Sequence, residues 1–218
     1  MALIWEWTLN WNSNDTLWVN NWTDTSISYV SWYKWQCASF NGSTSIIKLP
    51  ASSIRPTGNF TVNAWINTSN TWTYKAIAQT YSQLSPSISW YRLLVNNLNK
   101  VEFLSWKNTW YVLNTDYKVL AGSTSVTTGN WTMVTWVYNW STLEVFVNGV
   151  SDWSVAWTNN AVYQSDSKPS IGANNYQSTT INDYFNWLID EVRVYDSAEN
   201  PLTIYNSYQN NPNFFMFF

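Results

Sequence analysis

At 218 residues the chain is long enough for one domain with a full core, and its formal charge of −3 excludes the basic footprint of a nucleic-acid binder. An aromatic share of 19% argues against disorder, and with no apolar run near 18 residues no membrane-spanning helix is expected. There is no histidine and one cysteine, Cys37, which removes His-based catalysis, His or Cys metal clusters and an internal disulfide.

The apolar start Met1-Ala2-Leu3-Ile4-Trp5 stops at Glu6. It lacks a basic segment, a long apolar stretch and a small-residue cleavage site, so no signal peptide is read. Alternation of period two then dominates the chain. Phe60, Val62, Ala64 and Ile66 alternate with Thr61, Asn63, Trp65 and Asn67. Leu143, Val145 and Val147 do the same, as do Val192 and Val194. Such alternation marks strands with one face on a core. Further strands are expected at Leu3–Leu9, Ser45–Leu49, Lys75–Thr80, Tyr91–Val95, Val101–Ser105 and Trp131–Tyr138. The only expected helix is Ala198–Tyr208, with Pro201 in its first turn. Many short strands separated by turn clusters predict an all-β fold, a two-sheet antiparallel β-sandwich or jelly roll. One domain is expected over 1–208, with 209–218 as a tail or truncated linker ending in Phe214-Phe215-Met216-Phe217-Phe218.

Six segments, in order, carry a family resemblance. They are Ala38-Ser39-Phe40-Asn41-Gly42-Ser43, Phe60-Thr61-Val62-Asn63-Ala64-Trp65-Ile66, Gly129-Asn130-Trp131-Thr132-Met133-Val134, Leu143-Glu144-Val145-Phe146-Val147-Asn148-Gly149, Ser170-Ile171-Gly172 and Ile189-Asp190-Glu191-Val192-Arg193-Val194-Tyr195. Together they resemble a laminin G-like, concanavalin A-like lectin/glucanase jelly roll of the bacterial type, over roughly Leu3 to Tyr208. The resemblance implies a non-catalytic binding or adhesion module, carbohydrate-binding first, carried by a longer extracellular or cell-surface protein. The alternative is a structural or protein–protein interaction module. Glycoside hydrolase is the weaker alternative. Related glucanases carry three carboxylates at alternating strand positions, and this chain has no Glu-x-Asp-x-Glu or Glu-x-Asp-x-x-Glu pattern. Asp190-Glu191 are adjacent, so in a regular strand they face opposite ways.

The resemblance also implies a structural calcium held by Asp190, with a carbonyl from the loop at Gly42 as a second ligand. Asp15 and Asp183 are weaker metal candidates, since Asp in an Asn-rich loop is a common turn former. Sugar binding needs an aromatic face beside amides or carboxylates. Tyr176 with Asn175, and Tyr81 after Gln79, have that composition.

The resemblance has one systematic departure. Trp occurs 18 times and Gly 6 times. Trp140 falls in the tight link Tyr138-Asn139-Trp140-Ser141-Thr142, where an Asn-Gly turn with two positive φ angles is expected. Trp187 stands where the family has glycine before the Ile-Asp-Glu-Val strand. Trp7, Trp65 and Trp131 match family tryptophans; glycine at the other fifteen would raise its count from 6 to 21. In some genetic codes UGA specifies glycine, and reading those codons as tryptophan gives this pattern. The competing reading is a Trp-rich binding surface, whose tryptophans would cluster on one face.

Overall fold

The computed structural model describes residues 3–10, 12, 14, 22–32, 35–50, 58–69, 72–80, 90–106, 117–158, 168–176 and 180–209. Seventeen strands and one helix lie among them. In chain order the strands are β1 (Leu3–Trp7), β2 (Thr23–Thr25), β3 (Ser28–Trp32), β4 (Trp35–Asn41), β5 (Ile46–Lys48), β6 (Phe60–Thr68), β7 (Lys75–Thr80), β8 (Trp90–Val95) and β9 (Lys100–Trp106). They continue with β10 (Tyr117–Ser125), β11 (Thr132–Tyr138), β12 (Thr142–Val147), β13 (Val150–Ala156), β14 (Ser170–Ile171), β15 (Asn174–Tyr176), β16 (Thr180–Asn182) and β17 (Asn186–Tyr195). Helix α1 (Pro201–Gln209) follows, with Pro201 at its first position, where the missing N–H costs nothing.

Two antiparallel sheets face each other. One runs β13-β12-β11-β6-β17-β4-β3, with β1 also on β17. The other runs β10-β9-β8-β7-β14-β5-β2. The expected sandwich is therefore the observed architecture. Between the sheets lie Val62, Ala64, Ile66, Val134, Val145, Ile189, Val192 and Val194 from the first and Ile47, Ile77, Leu93, Val101, Phe103 and Ile171 from the second. Nearly all come from the alternating positions of their strands, as burial of one face requires.

Strand β6 is buried along its whole length, on both faces. Its outward polar side chains are partly satisfied: Thr61 Oγ1 donates to the Ser197 carbonyl at 2.8 Å and Asn67 Nδ2 to the Gly129 carbonyl at 3.0 Å, while Asn63 Oδ1 and Asn67 Oδ1 are buried without a partner. Trp65 joins Met133, Tyr195 and Ile204 in a second, smaller cluster under α1. The helix thus covers an apolar patch on the outside of the larger sheet. At one edge β10 packs on β13, where the Asp152 carboxylate accepts from Ser123 Oγ, the Thr124 N–H and Thr124 Oγ1 at 2.6–2.9 Å.

The Ala38-Ser39-Phe40-Asn41-Gly42-Ser43 segment is the end of β4 and its turn into β5. Asn41 Oδ1 accepts from the N–H groups of Ser43, Thr44 and Ser45 at 2.9–3.1 Å, which closes that turn. The Trp140 link is also tighter in a different way than expected. Only Trp140 has positive φ, at 69°, the first of the two central residues, which is the glycine position of a II′ turn.

Candidate functional site

The outer face of the seven-stranded sheet carries a polar row. Register places Arg92 opposite Gln79 on one side and Leu104 on the other, and Gln79 opposite Ser170. The inward row beside it is Ala78, Leu93, Phe103 and Ile171, so the polar row faces away from the core. Gln79 is fully buried and donates to Ser170 Oγ at 2.7 Å and to the Lys168 carbonyl at 3.1 Å.

Arg92 reaches the base of a hairpin. β15 and β16 pair Asn174 with Asn182 and Asn175 with Ile181, and Asp183 follows β16 directly. The Asp183 carbonyl accepts from the Ala76 N–H at 2.8 Å, which docks the hairpin on β7. Its carboxylate forms an ion pair with Arg92 Nη2. Asp183 has φ 49°, a conformation Asp tolerates, so the loop-former reading of this residue holds while the side chain has a further job. Arg92 Nε and Asn174 Oδ1 are buried with no hydrogen-bond partner, and Asn174 Nδ2 donates to Asn182 Oδ1 at 2.8 Å. Gly172 starts the approach to this hairpin with φ 78°. A Cβ there would sit 1.9 Å from the Phe40 ring, so only glycine fits.

On the next outward row lies Glu102, opposite Leu94 and Ala121. It is buried and accepts from Asn96 Nδ2 at 3.1 Å. Burial pushes its carboxyl up, against the smaller opposing effects of that hydrogen bond and the Arg92 charge.

The sequence candidates divide. Tyr176 closes β15, on the hairpin that Arg92 anchors. Asn175 precedes it but is itself buried, so it offers a ligand little surface. Tyr81 and Asp15 lie outside the described residues. Arg92, Asn174 and Asn182 were missed. The signal was a single arginine inside the apolar run Tyr91-Arg92-Leu93-Leu94-Val95.

Asp190 lies on the outward face of the larger sheet, opposite Trp65. It is buried, and its Oδ1 accepts from the Glu191 N–H at 2.9 Å. Burial first, then the Glu191 charge, pushes its carboxyl well above the usual range. The same burial, with the Asp190 charge added, pushes the Cys37 thiol up to about 12. Cys37 is a buried apolar-type residue, as expected, not a reactive thiol.

Two expectations here need correction. Gly42 and Asp190 do not meet: the Gly42 N–H bonds the Phe185 carbonyl, and Asp190 is five strand residues further on, roughly 16 Å at strand rise. Asp190 and Glu191 do not simply face opposite ways either. The register against β6 shifts between Asp190 and Arg193, and Glu191 has φ 48°, so the strand bulges there. Glu191 pairs with Arg193 at 2.8 Å, and Arg193 with Glu6 at 2.5 Å. Among the described residues no group of three His, Cys, Asp or Glu side chains gathers as a metal site.

A family model described as the concanavalin A-like lectin/glucanases superfamily matches residues 41–204. The chain belongs to that superfamily. Solved structures of similar shape include domain 4 of an extracellular arabinanase from Geobacillus stearothermophilus, in complex with arabinotriose. It is 18% identical at a TM-score of 0.65, covering 94% of this chain and 97% of that one. The binding domain of Paraclostridial Mosquitocidal Protein 1 is 12% identical at a TM-score of 0.72, covering 95% and 52%. The botulinum neurotoxin serotype G binding domain is 12% identical at 0.70, covering 96% and 52%. This lectin/glucanase-type chain therefore spans about half the length of the toxin binding domains and nearly all of the arabinanase domain. At these identities the likeness speaks for the fold. No curated protein matches the sequence.

Proposed function

We propose that this chain is a non-catalytic carbohydrate-binding module of an extracellular or cell-surface protein. The observation that carries the reading is the β15–β16 hairpin. Tyr176 ends β15 after Asn174 and Asn175, β15 pairs with β16, and Asp183 just after β16 is ion-paired to Arg92. Amides, a planar guanidinium and a carboxylate are the groups that bind sugar hydroxyls, and an adjacent tyrosine is the group that stacks on a sugar ring. Tyr81 is kept as a second stacking candidate from its composition alone. The arabinanase domain, which spans the same length and was solved with arabinotriose, supports a furanose or pyranose oligosaccharide as the ligand class. Asp183 at the hairpin base and Glu102 on the next outward row are occupied by Arg92 and Asn96, which does not resemble a free acid and base pair.

Calcium at Asp190 is a separate part of the proposal. A buried carboxylate whose charged form is penalised is a hard oxygen ligand, and a divalent cation would reverse that penalty. Asp190 is the residue that would hold it, without Gly42. Bound there, the ion would stiffen the bulged strand.

The test is calorimetric titration with arabino-, xylo- and gluco-oligosaccharides, beside a glycan array. Binding to at least one, weakened roughly tenfold or more by Arg92→Ala, is the expected result. A folded chain that binds none of them defeats the reading and favours the protein–protein interaction module. Arabinans, xylans and β-glucans should release no reducing sugar. Hydrolysis abolished by Asp183→Asn or Glu102→Gln would instead make the chain an enzyme.

A further inference from the structure

We infer that the native residue at positions 140 and 187 is glycine, that position 136 is a third such site, and that the gene is read with UGA as glycine. The backbone makes the first point. Among the described residues, eight that are not glycine have positive φ. Six of them, Leu9, Ser26, Asn99, Asn148, Asp183 and Glu191, lie at 48–58°, inside the left-handed well. The other two are Trp140 at 69° and Trp187 at 104°. Trp140 approaches the 75–78° of the glycines Gly42, Gly129, Gly149 and Gly172, and Trp187 lies beyond them. Trp140 stands at the upper edge of the left-handed well and Trp187 far outside it; a bulky side chain is strained at the first and meets the neighbouring carbonyl at the second, and only glycine is free at both.

Packing holds these two indoles loosely, although the Trp140 ring lies 6.1 Å from that of Tyr138. Trp140 is 48% exposed and Trp187 43%. Trp153 and Trp72 are more exposed still. Among the described residues the four lie on different turns and strands.

The core makes the second point. Trp136 lies over Phe103 with ring centroids 3.4 Å apart and planes 9° apart, and 4.4 Å from Phe60. Aromatic pairs prefer offset or edge contacts at 4.5–7 Å, so a directly superposed sandwich at 3.4 Å is overfilled. Trp65 is the contrast. It stacks on Tyr205 at 6.1 Å within the cluster of Met133, Tyr195 and Ile204, an ordinary packed residue.

A single cause joins these sites. UGA is a stop, a tryptophan or a glycine codon, depending on the genetic code. Reading glycine UGA as tryptophan replaces the smallest residue with the largest and alters no other residue type. That accounts for 18 Trp beside 6 Gly in a turn-rich sandwich. It also means that the exposed indoles are not a ligand platform, and that an aromatic sugar contact falls to tyrosine.

Reading the gene's codons tests this without requiring the protein to fold. UGA is expected at positions 136, 140 and 187, and UGG at 65. UGG at 140 or 187 overturns the inference. The second arm compares melting temperatures of the chain as written with Trp140→Gly, Trp187→Gly and Trp65→Gly. The first two should raise the melting temperature and the third should lower it. If Trp140→Gly or Trp187→Gly lowers it as Trp65→Gly does, those tryptophans are native packed residues and the inference fails. Glycan binding enters neither arm, so this result and that of the carbohydrate titration stand apart.

Discussion

Glu102 is a carboxylate placed where burial outweighs its hydrogen bond from Asn96. Its folded pKa is therefore above the unfolded value, ordinarily about 4.5. The folded chain holds this proton to higher pH than the unfolded chain does. The associated stability is fully present below the unfolded pKa and is lost as pH rises through the folded one. Glu102→Gln keeps an acceptor for Asn96 and removes the charge. Thermal melts from pH 4 to pH 7 should show a smaller loss of stability with rising pH in the variant than in the parent. Equal slopes would show that Glu102 is solvated in the folded chain. None of this was legible in the sequence, where the strand expected over Val101–Ser105 says nothing of what surrounds Glu102. Its neighbours Leu94, Ala121 and Asn96 come together only when β8, β9 and β10 pair. Cys37 was legible, because a lone cysteine beside Ala38 and Phe40 needs no partner to be a core residue.

At the scale of elements, alternation located the strands that bury one face. β7 was read with its observed limits, and β6, β8, β9, β11 and β12 to within a residue or two. Strand β4 escaped because Cys37 and Ala38 are buried on opposite faces, which erases the alternation. Strands β10 and β13 escaped because they are edge strands with mostly exposed residues. The bulge at Glu191 escaped because it is a matter of register against β6, a partner more than a hundred residues away. The helix was read nearly in full from Pro201 onward, and its purpose is now visible. α1 lays Ile204 and Tyr205 on Trp65 and Met133, covering apolar surface that the larger sheet would otherwise expose. Ile204→Ala should cost about 2 kcal/mol in chemical denaturation, the low end for a buried isoleucine at a partly open site. A cost near zero would mean that α1 does not dock on the sheet in solution.

For the molecule as a whole, the two outward faces of the sandwich carry different chemistry. The seven-stranded face has Arg92, Asp183 and the hairpin; the other has α1 over Trp65 and, beside it, the buried Asp190. A cation at Asp190 would bind the folded chain only, because the unfolded chain has no bulge to bury the carboxylate. Its effect on stability is then set by mass action, about 2.7 kcal/mol when the free ion is a hundredfold above its dissociation constant. Calcium in excess should raise the melting temperature of the parent relative to chelator. Asp190→Asn keeps an acceptor for the Glu191 N–H, so it should fold, melt no lower than the parent in chelator, and show no calcium response. Identical melts of the parent in calcium and in chelator would remove the metal. A response that persists in Asp190→Asn would move it to another site. The position of Gly42, five residues along the neighbouring strand, already keeps that residue out of an ion held at Asp190.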